Sequence, residues 1–482
     1  MESDKSYRRT VLLITSIGAM MAPLDSTIVS VSLPAISHSL AMDYASIIWV
    51  PTAYLVALAA LILAMGRFSD MHGRRPIFIS GFAIFVLGSF LCSIATSGPE
   101  LIAFRVMQGV GAAFIGSTAT AIVTDTFPKE ERGKALGVNT MAVYVGLSLG
   151  PPLGGFLTGA LGWQSIFYIN IPIGITVILL AVTKMKESKS EFRSQRFDIG
   201  GLLFFSLSLT TFLVALTLGD QLGWGSPTIL VLALVAAVSL VSFLMIERRM
   251  QEKALLDLRL MTKNRLFAMG NTSALLNYAA YFGVTFMVSF YLQEVTGLSV
   301  IVTGSILLIM PATMAVLSPL SGWVSDRVGS RGLASGGMFL IAAGLLWLSN
   351  VTTTSSTAFV ASGLFIIGLG MGIFSSPNTS AVMGSVERRQ LGLASGTLAT
   401  MRFVGQATSL AIMGAIVASV AGTGTLSALF TGIPSNVAVE GAAFVDGMRY
   451  AFGVSAIIAV AGGITSLARP PNHAHGREGP GP

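Results

Sequence analysis

Charge is what this sequence has least of. Of its 482 residues, 11% are Asp, Glu, Lys or Arg and 53% are hydrophobic, whereas a soluble domain carries about 25% charged residues. So little polar surface cannot coat a water-soluble globule of this length, and lipid has to cover part of the chain. Cysteine is nearly missing as well. Cys92, inside the apolar stretch 85–94, stands alone, which excludes an internal disulfide and a cysteine-ligated metal and leaves a small apolar filler. The sequence has no intramembrane His pair and no H-E-x-x-H, and no loop is long enough to fold as a soluble sensor domain. Neither an enzyme nor a receptor is expected, and no cofactor. The formal charge of +7 would suit a nucleic-acid partner only if Lys and Arg clustered on one face of a soluble domain. They sit in short loops between apolar runs, so no nucleic acid is expected.

What is abundant is the long apolar run. Lys5, Arg8 and Arg9 precede an apolar stretch that resembles a secretory signal, but the stretch runs over 11–33 and exceeds a signal's h-region. It reads as the first of fourteen membrane helices, at about 11–33, 45–65, 76–96, 99–123, 135–159, 164–183, 199–218, 227–246, 267–291, 300–321, 333–350, 357–383, 392–419 and 446–467. Each is long enough for a hydrocarbon core of about 30 Å, and in lipid only a helix or a closed barrel satisfies its own backbone. The alternation of a barrel strand does not occur, so the class is all-α membrane protein. With a cytoplasmic amino terminus, 26 of the 29 Lys and Arg fall on the cytoplasmic side and one, Arg449, at an outer boundary. The remaining two, Arg105 and Arg402, lie inside apolar runs. One span missed or invented would destroy that asymmetry, so both termini are expected in the cytoplasm.

The chain also repeats itself. Gly66-Arg-Phe-Ser-Asp70-Met-His-Gly73-Arg74-Arg75 recurs as Gly322-Trp-Val-Ser-Asp326-Arg-Val-Gly329-Ser-Arg331, and Glu131-Arg132 recurs as Glu387-Arg388, each displaced by 256 positions. A first half starting near Thr10 then predicts a second starting near residue 266, where the ninth span begins. The expected organisation is a six-helix bundle at 1–183, a linker with two inserted helices at 184–265, a second six-helix bundle at 266–469 and a disordered cytoplasmic tail at 470–482. Leu255, Leu256, Leu258, Leu260 and Met261, set among charges in the second linker, suggest an amphipathic surface helix. His473 and His475 belong to the Pro/Gly-rich tail and read as solvated rather than metal-binding.

Four segments carry chemistry. In 66–75, Gly66 and Gly73 permit a tight reversal, and Asp70 can accept from a helix N-terminus or from Arg74. In Leu101-Ile-Ala-Phe-Arg105-Val-Met-Gln108-Gly-Val-Gly111, Arg105 lies about one turn inside the membrane, where an unpaired cation costs several kcal/mol. It either bonds carbonyls or faces an acid. In Gly146-Leu-Ser-Leu-Gly150-Pro151-Pro-Leu-Gly154-Gly155, glycines four apart share one face on which a neighbour packs closely, and Pro151 bends the helix. In Leu24-Asp25-Ser-Thr-Ile-Val-Ser30-Val-Ser32-Leu-Pro34, Asp25 is the one carboxylate well inside a predicted span. A charge there demands a partner or a proton, so Asp25 reads either as a proton carrier or as an acid held permanently by hydroxyls or Arg105.

Together these segments resemble the fourteen-helix drug:proton antiporters of the major facilitator superfamily, over nearly the whole chain. Met71 and Phe68 depart from the usual loop pattern, and Ser30 and Ser32 replace a usual Asn and Ala. The resemblance implies the major facilitator fold, a cytoplasmic latch at Gly66, Asp70, Gly73, Arg74 and Arg75 with a weaker copy at Asp326 and Arg331, and proton coupling through Asp25 tuned by Arg105. It implies export, from the glycines and Pro151 of the fifth helix. It also places spans one, four, nine and twelve around a central cavity, with Gln108, Asn277, Tyr278, Tyr281, Phe282, Phe374 and Asn378 as contact candidates. Aromatic faces and soft side chains such as Met371 suit apolar or cationic small molecules. The expectation is a monomeric multidrug antiporter of the cell membrane whose partners are such substrates, protons and lipids. An exporter or flippase of lipids, or of one metabolite, is the alternative on the same frame.

Overall fold

The structure is a computed structural model that describes residues 2–186, 198–250, 255–256, 258–387, 390–422, 426 and 437–470. Fourteen helices are long and apolar enough to cross a membrane. They are α1 (Lys5–Ser39), α2 (Tyr44–His72), α3 (Arg74–Ser93), α4 (Gly98–Thr126), α5 (Ala135–Leu161), α6 (Ser165–Lys184) and α7 (Ile199–Leu222). After them come α8 (Pro227–Met250), α9 (Arg265–Val295), α10 (Val300–Ser325), α11 (Ser330–Leu348), α12 (Thr357–Gly384), α13 (Leu391–Ala421) and α14 (Val439–Leu467). Every span expected from hydropathy has its helix, and no strand occurs among the described residues. An even number of crossings brings both ends of the helical chain to one face, here the near face; the opposite one is the far face.

Three helices break their regular winding. α6 is a turn at Ser165–Tyr168 followed by Asn170–Lys184. α9 ends in a π-helical turn, Tyr291–Val295. α10 is interrupted at Leu308. Such interruptions are tolerated at membrane depth where protein rather than lipid surrounds them.

Packing is closest within α1–α6 and within α9–α14, while α7 and α8 pack on each other and α7 leans on α2 and α13. Lipid tails are as apolar as Leu, so small residues and close backbone approach hold these helices together. A methyl group on Gly81 would lie 3.1 Å from the Gly111 carbonyl, where α3 meets α4. Gly337, 256 positions on, makes the same approach between α11 and α12, its methyl 2.6 Å from the Gly370 carbonyl.

The repeated loop folds the same way twice. Gly73 (φ 102°) and Gly329 (φ 85°) both occupy the positive-φ region that side chains disfavour. Their N–H groups donate to Ser69 O and Ser325 O, both at 2.9 Å. The hydroxyls of Ser69 and Ser325 in turn donate to Gly66 O at 2.7 Å and Gly322 O at 2.8 Å.

The second linker differs from the expected amphipathic helix. Among the described residues between Met250 and Arg265, only Leu258–Lys263 is helical, with no buried residue. Leu255 and Leu256 are buried instead with Leu63, Ala64, Met65 and Phe243, and their backbone N–H groups donate to the Glu247 carboxylate at 3.3 and 3.0 Å. The segment is a plug under α2 and α8, because that acid caps two amides that a lipid-facing helix would have bonded internally. The expected disordered tail lies outside the described residues apart from Pro470, as does the side chain of Asp326.

Candidate functional site

The helix interruptions and the small residues of α1 and α4 bring five polar side chains together. Asp25 and Arg105 are both fully buried. Arg105 Nη1 donates to Asp25 Oδ2 at 2.5 Å. Gln108 Nε2 and Asn170 Nδ2 donate to Asp25 Oδ1 at 2.7 and 3.0 Å, and Gln108 Nε2 also reaches Ser89 Oγ at 2.8 Å. The guanidinium is held further by the Val50 carbonyl at 3.1 Å and lies 4.2 Å above the Tyr54 ring. Its Nη2 has no hydrogen-bond partner among the described residues. Every group named comes from α1–α4 or α6, so the network sits inside the amino-terminal half and not on the surface facing the other half.

Geometry thus gives Arg105, rather than hydroxyl groups, as the direct partner of Asp25 among the alternatives the sequence left open. Each compensates the desolvation of the other, and charge-assisted bonds from two amides satisfy the second carboxylate oxygen. The break in α6 sets Asn170 at the start of its second segment. Nothing in the sequence marked Asn170 or Ser89, since an Asn or Ser in an apolar run has no charge to signal its role.

A second polar centre lies between the halves. Arg402 of α13 is half-buried and donates from Nε to the Tyr278 hydroxyl at 3.0 Å, with its guanidinium carbon 5.2 Å from that ring. The rings of Tyr278 and Tyr281 are 5.4 Å apart. Tyr144 of α5 also faces the cation, and its hydroxyl bonds across the halves to Ser375 Oγ of α12 at 2.6 Å.

The other expected contacts divide. Tyr278 and Tyr281 are at this centre, with the Phe282 ring 6.5 Å from Tyr281. Gln108 belongs to the Asp25 network. Asn277 donates to Met338 Sδ at 3.1 Å inside the carboxy-terminal half, and Phe374 is buried there against Gly337. Asn378 donates to Gly270 O at 3.2 Å and accepts from Arg469 Nη2 at 2.5 Å. Arg469 follows the last span, and burial lowers its guanidinium to about 10, so it stays charged at neutral pH.

The loop at 66–75 is braced within its own half. Arg74 bonds Asp70 Oδ1 at 2.8 Å, pairs with Asp125 and donates to Ala121 O at 3.0 Å. Arg75 donates to Val182 O at 2.6 Å, at the end of α6. In α5, methyls on Gly146 and Gly154 would strike the α1 carbonyls of Met20 and Ile28 at 2.5 and 2.6 Å, and Gly150 lies against Thr27. Gly155 faces the other half, where a methyl would lie 2.6 Å from the Val300 carbonyl of α10. The letters Gly146-Leu-Ser148-Leu-Gly150 spell a nucleophile elbow, but Ser148 sits mid-helix with its hydroxyl on Pro311 O at 3.3 Å, without the strand and histidine that chemistry needs. Among the described residues no cluster of three or more His, Cys, Asp or Glu could hold a metal.

The Major Facilitator Superfamily matches residues 15–410 and 272–482. The chain belongs to the Major Facilitator Superfamily. It is 34% identical over 409 residues to the multidrug resistance protein Stp of Mycobacterium tuberculosis (strain CDC 1551 / Oshkosh), covering 85% of this chain and 75% of that one. It is 33% identical over 393 residues to the riboflavin transporter RibZ of Clostridioides difficile (strain 630), covering 81% and 84%. In three dimensions it aligns, with a TM-score of 0.69, to a bacterial homologue of the human lysosomal transporter Spinster, solved in an inward-facing conformation. That alignment covers 96% of each chain at 16% identity, a likeness of fold alone. As a member of this superfamily the chain is a multi-pass membrane transporter.

Proposed function

We propose that this transporter exports small hydrophobic molecules in exchange for protons, by alternating access, with both termini in the cytoplasm. The observation that carries the reading is the Asp25–Arg105 pair, fully buried and bonded at 2.5 Å. Protonating Asp25 removes the negative charge that Arg105 neutralises, so the cation must find another acceptor or draw water in. Either response moves α1 against α4. The same α1 accepts at Val31 O from Gln293 Nε2 of α9 at 3.0 Å and from Ser289 Oγ at 3.4 Å. Val31 lies six residues from Asp25, roughly 9 Å along the helix, so proton occupancy is linked through one helix to a seam that closes the far face.

The orientation rests on the asymmetry of Lys and Arg, and export on the glycine face of α5 together with relatives named as multidrug resistance proteins. The likeness to a named riboflavin transporter favours a second reading, an exporter of one dedicated metabolite on the same frame. Both readings share the coupling step. In proteoliposomes with an imposed substrate gradient, the native protein is expected to move protons and Asp25→Asn to lose that movement by at least about tenfold while still binding substrate. Proton movement that persists undiminished in Asp25→Asn removes Asp25 from the mechanism.

A further inference from the structure

Arg105 and Arg402 both lie inside apolar runs, and their surroundings are opposite. Arg105 is matched by Asp25. Arg402 donates one hydrogen bond, from Nε to Tyr278, and makes no ion pair among the described residues. A cation at membrane depth without a counter-ion is costly and marks a functional position by default. It is partly rather than fully buried, and its neighbours come from both halves: Tyr144 from α5, Tyr278 and Tyr281 from α9. The Tyr144–Ser375 bond across that space puts the centre where the two halves must part.

We propose that Arg402, Tyr144, Tyr278 and Tyr281 form a docking point for planar aromatic molecules that carry an acidic group, a carboxylate or an ionised phenol. The proposal rests on the export reading and names the substrate class for it. Two free nitrogens of a planar fork match a carboxylate bidentately. Tyrosine hydroxyls can donate to the same oxygens, and the tilted rings of Tyr278 and Tyr281 offer faces to an aromatic body. The electrostatics favours anions over cations, since Asp25, the buried acid of α1, is occupied by Arg105. Lipophilic cations would meet Arg402 with no acid to offset it, so the site discriminates by repulsion as well as by attraction.

Fluorescein and rhodamine 123 share a three-ring skeleton and differ in charge, one anionic and one cationic. With the purified full chain in nanodiscs, fluorescence polarisation is expected to show fluorescein bound more tightly than rhodamine 123. In Arg402→Gln the fluorescein affinity should fall by at least about tenfold while rhodamine 123 binds as well or better, and Arg402→Lys should restore part of the loss. A merely structural arginine would lower both dyes together, and that result overturns the proposal. So does a preference unchanged by Arg402→Gln, or no binding of fluorescein to the native protein. The export reading fails separately. Fluorescein bound through Arg402 but not carried across proteoliposomes would sink export and leave the docking point standing, whereas rhodamine 123 carried and fluorescein ignored would do the reverse.

Discussion

The Asp25–Arg105 contact has an asymmetry that a pair of substitutions exposes. Removing Arg105 leaves an acid with no exposure and two amide donors as its remaining support. Breaking a buried pair on one side costs about 3–5 kcal/mol, while removing both charges costs far less. Arg105→Ala is therefore expected to lower stability by about 3 kcal/mol or more in denaturant-titrated unfolding, and adding Asp25→Asn to recover about half of that loss. If the double variant is as unstable as the sum of the singles, the two charges do not depend on each other. At this scale the sequence was legible wherever a residue carried a charge out of place: Asp25, Arg105 and Arg402 each stand out in an apolar run. Arg105 was legible as one possible partner of Asp25, but the neutral groups around these charges were not. Asn170, Ser89 and Tyr144 are neutral and far away in the chain: the break in α6 sets Asn170, the packing of α3 on α4 brings in Ser89, and a hydrogen bond to Ser375 of α12 places Tyr144 between the halves. Asn277, Phe374 and Asn378 pack inside the carboxy-terminal half in this structure, a placement not legible for the same reason. A polar or aromatic residue in a helix can serve its own bundle as readily as a cavity, and spacing alone does not say which face it occupies.

Among the helices, α5 carries the most demanding surface. Its glycines meet α1 on one side, and Gly155 meets α10 on the other, where the halves have to slide. Overpacking a close backbone approach costs about 1–3 kcal/mol. Here a side chain on Gly155 would meet the Val300 carbonyl at 2.6 Å, and a carbonyl within a helix cannot swing aside. Gly155→Val is expected to slow transport several-fold and to lower thermal stability, whereas Gly137→Ala, at a position with nothing within 4 Å, should change neither. Equal effects on both would mean that helix propensity and not the seam is being measured. The helices themselves were readable because lipid leaves the backbone one solution per apolar run. The repeated loop was readable because two positive-φ glycines recur at a fixed displacement. The plug at Leu255 and Leu256 was not, since five apolar residues among charges fit a surface helix equally well until Glu247 is seen to cap their amides.

For the molecule as a whole, the halves are joined unequally at the two faces. At the far face Tyr44 Oη donates to Gly414 O at 3.3 Å, His38 approaches Glu294 at 3.3 Å, and Gly155 and Gly304 lock α5 to α10. Nearer the other face Leu63 comes within 3.6 Å of the place a methyl on Gly396 would take. Alternating access requires both seams to open, though never together. Cysteine pairs at Ile48 with Gly414 and at Leu63 with Gly396 report each seam, and the native Cys92, fully buried, does not compete for a short bifunctional thiol reagent. Linking either pair is expected to stop transport and reduction to restore it. On the proposed coupling, a protonated Asp25 would free Arg105 and loosen α1, whose Val31 holds the far-face bonds from α9, so Asp25→Asn should slow linking at Ile48–Gly414 relative to Leu63–Gly396. Transport that continues with the far-face pair fully linked would show that the halves do not rock. An unchanged ratio of the two linking rates in Asp25→Asn would separate the buried acid from the motion.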